Sequence, residues 1–120
     1  MQIVVIGGGT WGTAFSCLLR DRGHDVTLAC RDREQARAIR ETGRNPRYLQ
    51  EASLQGVEAL PLDEAPLADY ELVVLAIPSR AFAKVAASLP GNGPVLVDDS
   101  GLDEWHRSSL RRANRVLFVL

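Results

Sequence analysis

Ile3-Val4-Val5-Ile6-Gly7-Gly8-Gly9-Thr10-Trp11-Gly12-Thr13-Ala14-Phe15 reads as one device: buried strand, glycine turn, helix. Four consecutive β-branched residues predict a strand covered on both faces, as in a parallel sheet. Gly7, Gly9 and Gly12 then supply the G-x-G-x-x-G spacing, with Gly8 inside it. The first glycine permits a tight turn out of the strand. The second lets backbone approach a pyrophosphate with no side chain between, and the third lets the new helix pack closely on the strand. A helix starting here aims its unpaired N–H groups and positive dipole end at the turn, so an anionic dinucleotide is the expected occupant. The competing reading is a glycine turn kept for packing alone.

Outward from this stretch the chain alternates strands and helices. Strand one covers residues 2–6. A helix is predicted over 10–22, with Trp11, Ala14, Phe15 and Leu18 forming one apolar stripe at i, i+3, i+4 and i+7. Gly23 stops it. Strand two, 25–30, completes a β-α-β unit of the length a dinucleotide fold needs. A charged helix over 31–42 turns Ala36 and Ile39 inward and ends at Gly43. The loop 44–54 carries Asn45-Pro46 and Tyr48. Strand three is short, 56–60, and Pro66 limits 63–67 to a brief helical turn. Strand four is the apolar run 72–77. Pro78-Ser79 leads into a helix over 80–89, and Pro90-Gly91-Asn92-Gly93-Pro94 is a strong turn signal. Strand five covers 95–97, an arginine-rich helix 102–112, and strand six 115–120.

This alternation implies a parallel sheet with helices on both faces. Right-handed crossovers favour the strand order 3-2-1-4-5-6. The expected fold is therefore α/β: a Rossmann-type doubly wound parallel sheet of about six strands, in three αβα layers, forming a single domain over 1–120. Ligands of such sheets bind outside the carboxyl ends of the strands, at the switch between strands one and four. The glycine turn and Pro78-Ser79 both fall at that edge.

Composition narrows the partners. A chain of 120 residues can bury roughly two-thirds of its unfolded surface, enough for one core. A net charge of −1 supplies no basic excess for a nucleic-acid groove or an anionic membrane. The start shows no basic leader, and no apolar run is long enough to span a bilayer, so a cytoplasmic protein is expected. Cys17 and Cys30 read as small buried thiols in a reducing compartment, not as a disulfide or metal site. Thirteen arginines stand against a single lysine, Lys84, a bias from which no function follows.

The end of strand two selects the cofactor. An acidic residue about 20 positions after the motif bonds the ribose 2′-OH in NAD-binding proteins. Here the strand ends Ala29-Cys30-Arg31-Asp32-Arg33, with Arg31 standing first. A guanidinium there can pair with a 2′-phosphate or stack on adenine, which tilts the expectation from NAD towards NADP. Asp32 comes one residue late and can instead cap the following helix. Other candidates are weaker. Ser100, Asp103 and His106 suggest a triad, but Ser100 as helix N-cap with Asp103 at N3 accounts for them. Asp98-Asp99 lacks further ligands of suitable spacing for a metal. His24 reads as a turn residue, and Arg107, Arg111, Arg112 and Arg115 as a solvated face. No catalytic or metal-binding residue is assigned.

The run Gly7-Gly8-Gly9-Thr10-Trp11-Gly12-Thr13-Ala14 resembles that of the bacterial NAD(P)-dependent glycerol-3-phosphate dehydrogenases. So do Gly23-His24-Asp25-Val26, Arg31, Asn45-Pro46-Arg47-Tyr48-Leu49 and Ala76-Ile77-Pro78-Ser79. The Trp-Gly after the turn and the Asn-x-x-Tyr-Leu loop are more specific than the glycines. The similarity is expected over residues 1 to about 97. It implies that Thr10, Trp11 and Arg31 contact the cofactor, with Asp32 on the ribose side and Pro78-Ser79 near the nicotinamide.

Beyond that point the sequence departs from the family pattern. The family's Thr-Lys-Gly-Leu run reads Asp98-Asp99-Ser100-Gly101-Leu102 here, with Ser100 in the lysine's place. The family's catalytic lysine belongs to a helical C-terminal substrate domain, which the sequence, ending at Leu120, is expected to lack. The expectation is thus an NAD(P)-binding domain without turnover of its own. The alternatives are a non-catalytic nucleotide-binding module, a truncated or vestigial product, and a partner chain supplying the missing domain. A glycine-turn methyltransferase fits the Trp11 context less well. The apolar run Val116-Leu117-Phe118-Val119-Leu120 predicts a homodimer or higher self-association through an open strand edge.

Overall fold

The computed structural model describes residues 1–78, 81–89, 95–98 and 116–119, and its described elements are six strands, three α-helices and two 3-10 turns. The strands and α-helices are β1 (Gln2–Ile6), α1 (Thr10–Asp21), β2 (Asp25–Cys30), α2 (Arg33–Thr42), β3 (Val57–Pro61), β4 (Leu72–Leu75), α3 (Phe82–Ser88), β5 (Val95–Asp98) and β6 (Val116–Val119). Two 3-10 turns, Leu62–Glu64 and Leu67–Asp69, join β3 to β4. The six strands form one sheet in the order β3-β2-β1-β4-β5-β6, every neighbouring pair parallel. This is the order that right-handed crossovers favour. The chain reverses its direction of winding between β1 and β4, so their carboxyl ends diverge into a crevice.

The sheet separates two apolar layers. Ile3 and Val5 of β1 point to one side, with Val26, Leu28 and Cys30 of β2 and Val74 of β4. There they meet Ala36 and Ile39 of α2 and the partly buried Trp11, Phe15 and Leu19 of α1. Val4, Ile6, Ala29, Val73 and Leu75 point to the other side, against Leu62, Leu67, Tyr70 and Val85. The period-two alternation thus feeds both cores, giving the three αβα layers. Burial of each such branched side chain contributes about 1.5–3 kcal/mol.

The predicted stripe on α1 holds for Trp11 and Phe15 but not for its other two members. Ala14 and Leu18 are exposed, and the helix instead buries Gly12, Thr13 and Ser16. Small residues win that face because α1 lies so close to β1 that larger ones do not fit. Ser16 Oγ satisfies itself there by donating to the Gly12 carbonyl at 2.7 Å. The start of α2 also moves, from 31 to Arg33. Asp32 stands outside as N-cap, its Oδ1 accepting from the Glu34 N–H at 2.8 Å. β4 ends at Leu75, two residues before the apolar run does. Cys30 is fully buried at the end of β2, and burial pushes its thiol up to about 11, with the Asp32 charge adding to the rise and Arg47 opposing it. The expected features at Ser79, over 90–94 and over 99–115, including Ser100, Asp103, His106 and the arginine cluster, lie outside the described residues.

Candidate dinucleotide site

Gly7 leaves β1 with its N–H donating to the Ala29 carbonyl of β2 at 3.0 Å, while the Ala76 N–H donates to the Ile6 carbonyl at 2.8 Å. The turn is therefore clamped between the exits of β2 and β4. Gly7 has φ +124°, a region that side-chain-bearing residues avoid. A Cβ on Gly7 would lie 2.1 Å from the Ala76 carbonyl oxygen, and one on Gly12 1.9 Å from the Gly7 carbonyl oxygen. Gly9 is different: a Cβ there would meet nothing within 4 Å. Two glycines are demanded by protein backbone, and the middle one faces open space. Gly9 is also the N-cap of α1 and offers no side chain to its amides. The Thr13 N–H makes the helix's first internal bond, to the Gly9 carbonyl at 3.0 Å. The amides of Thr10, Trp11 and Gly12 precede that bond and open towards the same space. An anionic bridge fits this cradle by both shape and dipole. Trp11 is half-buried and stacks on Phe15, the ring centroids 4.8 Å apart and the planes 22° from parallel. Its indole is fixed at the rim of the turn.

The far side of the turn is held by residues whose role the motif alone does not reveal. Asn45 is fully buried although it sits in a loop. Its Nδ2 donates to the Gly8 carbonyl and to Thr13 Oγ1, each at 2.9 Å. Its Oδ1 accepts from the Arg47 and Tyr48 N–H groups at 2.9 and 3.3 Å. Gln35 Nε2 donates to the Gly8 carbonyl at 2.7 Å and to Asn45 Oδ1 at 3.2 Å. One carbonyl of the turn thus takes hydrogen bonds from both α2 and the 45–48 loop. The sequence carried a signal for Gln35: it is a polar residue on the inner face of α2, beside Ala36 and Ile39.

At the carboxyl end of β2, Arg31 is exposed and in no ion pair among the described residues. Asp32 gives one carboxylate oxygen to the α2 cap and the other to Arg47. The hydrogen bond from Arg47, then the Glu34 N–H, holds its carboxyl below the usual range. Arg33 reaches across to Asp63 at 2.6 Å and Glu64 at 2.9 Å. Beneath these residues lies a cavity of about 760 Å³, walled by Leu62, Ala65, Leu67 and Val85 and edged by Arg31 and Lys84. Pro78 follows the β4 exit that flanks Gly7, as expected. Among the described residues no group of His, Cys, Asp and Glu could hold a metal, and no helix is long and apolar enough to cross a membrane.

A parallel sheet with this order, a glycine turn at its switch point and an apolar cavity beside the end of β2 define a dinucleotide-binding domain of the Rossmann type. Comparison with known proteins narrows the class. The family model described as NAD-dependent glycerol-3-phosphate dehydrogenase N-terminus matches residues 2–96, and the chain belongs to that family. A glycerol-3-phosphate dehydrogenase [NAD(P)+] of Nocardia farcinica is 44% identical over 115 residues, covering 96% of this chain and 33% of that protein. One from Parafrankia sp. is 41% identical over 120 residues, covering 97% and 35%. The crystal structure of glycerol-3-phosphate dehydrogenase from Coxiella burnetii superimposes with a TM-score of 0.79 at 22% identity, over 97% of this chain and 38% of that one. It shares the fold. The chain therefore spans about a third of the length of these relatives. The family match ends near the expected residue 97, but similarity to whole relatives continues past it, further than the motifs indicate.

Proposed function

We propose that this chain binds NAD or NADP across the carboxyl edge of the sheet, with the pyrophosphate over Gly9 and the adenosine end in the cavity beside Arg31. The asymmetry of the glycines carries the reading. Gly7 and Gly12 are filled by neighbouring backbone, whereas Gly9 stands open beside the first amides of α1. We assign Gly8, Thr10, Trp11 and Pro78 to the same site by their place in or beside the turn, and Ser79 by family resemblance. Arg31 favours NADP. Asp32, committed to the helix cap and to Arg47, is poorly placed to select the 2′-OH of NAD. When bound, the nicotinamide supplies hydride chemistry. The chain's own part is to hold the cofactor by backbone amides and to orient it. In a whole glycerol-3-phosphate dehydrogenase the hydride would pass to dihydroxyacetone phosphate. The 120-residue chain alone is proposed to bind without turnover.

Trp11 gives a direct test. In a Trp105→Phe background, titration with NADH or NADPH should quench Trp11 emission and transfer energy to the dihydronicotinamide. No change with either cofactor rejects the proposal. We also propose self-association through β6. It pairs only with β5 among the described residues and forms one edge of the sheet, where open backbone groups can recruit another strand. Light scattering should show a mass that rises with concentration towards a dimer or more, and a constant monomer mass rejects it.

A further inference from the structure

The cavity next to Arg31 has a charge pattern that the glycine turn does not explain. Three cations and one carboxylate edge it: Arg31, Arg33, Lys84 and Asp63. Arg33 is committed, its two terminal nitrogens going to Asp63 and Glu64. Asp32, the nearest carboxylate along the chain, is likewise committed, to Arg47 and to the α2 cap. Of the three cations at this cavity, that leaves Arg31 and Lys84 without an ion-pair partner among the described residues, one on the β2 exit and the other on α3. They border a single cavity whose remaining wall is mostly apolar. An apolar slot suits a flat heterocycle, and two unpaired cations at its mouth suit a dianion. Lys84 is also the chain's one lysine, and it stands here.

We propose that Lys84 is a specificity-determining residue that, together with Arg31, grips the 2′-phosphate of NADP(H). This rests on the cofactor reading above and extends it to a residue on α3. A phosphate monoester carries about −1.5 to −2 charge at neutral pH, which the two side chains match. The guanidinium supplies planar, directed donors. The ammonium supplies a compact charge on a flexible stem that can reach over the cavity. NAD has a hydroxyl at that position and gains nothing from the second cation. Lys84 is solvent-exposed, so its contribution is moderate and falls with added salt.

Lys84→Met keeps the stem and removes the charge. NADPH, NADH and adenosine 2′,5′-bisphosphate are titrated against the wild-type chain and the variant by calorimetry at low salt. The variant should bind NADPH and the bisphosphate about five- to tenfold more weakly, with NADH affinity within about twofold of wild type. Lys84→Arg should restore most of the loss. Equal weakening of NADH and NADPH, or no change in their ratio, overturns the assignment while leaving cofactor binding intact. A wild-type chain that binds neither dinucleotide overturns the cofactor reading and this inference with it. Unchanged thermal unfolding of the ligand-free variant establishes that the loss is one of contact, not of fold.

Discussion

Gly12→Ala is expected to lower stability by roughly 3 kcal/mol or more, and Gly9→Ala by almost nothing. A methyl group on Gly12 would lie 1.9 Å from the Gly7 carbonyl oxygen. Neither group can yield cheaply. Gly7 is fixed by its hydrogen bond to β2 and by the Ala76 carbonyl on its other side, and Gly12 is in the first turn of α1. Relief requires lifting α1 from β1, which separates the small buried face of Gly12, Thr13 and Ser16 from the sheet. Gly7→Ala combines a similar clash with φ +124° and should be at least as damaging. Gly9, in contrast, has φ −82°, which alanine adopts without strain, and its added Cβ meets no protein atom. That methyl would occupy the space assigned to the pyrophosphate. Gly9→Ala should therefore unfold at the wild-type urea midpoint yet bind NADH or NADPH at least about tenfold more weakly. Urea titration with fluorescence binding separates the two effects. A stable Gly12→Ala, or a Gly9→Ala that binds as wild type does, contradicts the roles assigned to these glycines.

The order of strands was legible from alternation and handedness because those rules act on whole elements and tolerate errors at their ends. The glycine turn was legible because its spacing is local and its demands are steric. The stripe on α1 misled for a related reason. A 3.6-residue period finds large apolar residues, but a helix drawn close to a strand buries its smallest ones, and Gly12, Thr13 and Ser16 carry no hydrophobic signal. The start of α2 was misplaced because charge does not distinguish a first helical residue from a cap, although Asp32 had the right chemistry for one. Arg31 could be read from its place after β2. Lys84 could not: its relation to Arg31 exists only once β2, the first 3-10 turn and α3 enclose one cavity. The pairing of Arg33 with Asp63 and Glu64 spans about 30 residues and likewise has no local signature.

Asn45 shows how far the turn depends on residues beyond its motif. Its side chain makes five hydrogen bonds, with Gly8, Thr13, Gln35, Arg47 and Tyr48. Asn45→Ala strips all five from a site closed to water. Each buried group left without a partner costs about 1–3 kcal/mol, and part of that is recovered by relaxation of the loop, so a loss of about 3 kcal/mol or more is expected. Asn45→Asp is the sharper probe because it changes little besides hydrogen-bonding polarity. The introduced carboxylate could still accept from the Arg47 and Tyr48 amides and from Gln35. Its other oxygen would replace the Nδ2 donor and face the Gly8 carbonyl oxygen at close range. Burial and that repulsion raise the folded-state pKa of the new group above its unfolded value, whereas the two amides and Gln35 only partly counter them. Below the unfolded value the group is protonated in both states and its O–H can donate to Gly8. As pH rises through the folded value, that contribution is lost. Asn45→Asp should therefore approach wild-type stability near about pH 4 and fall well below it at about pH 8. Urea midpoints measured across that range, each relative to wild type at the same pH, decide the matter. A pH-independent difference would mean that Nδ2 does not hold Gly8. The turn would then owe its shape to Gly7, Gly12 and the hydrogen bond from Gln35 to Gly8, and the 45–48 loop would have no part in presenting the amides of α1 to a cofactor.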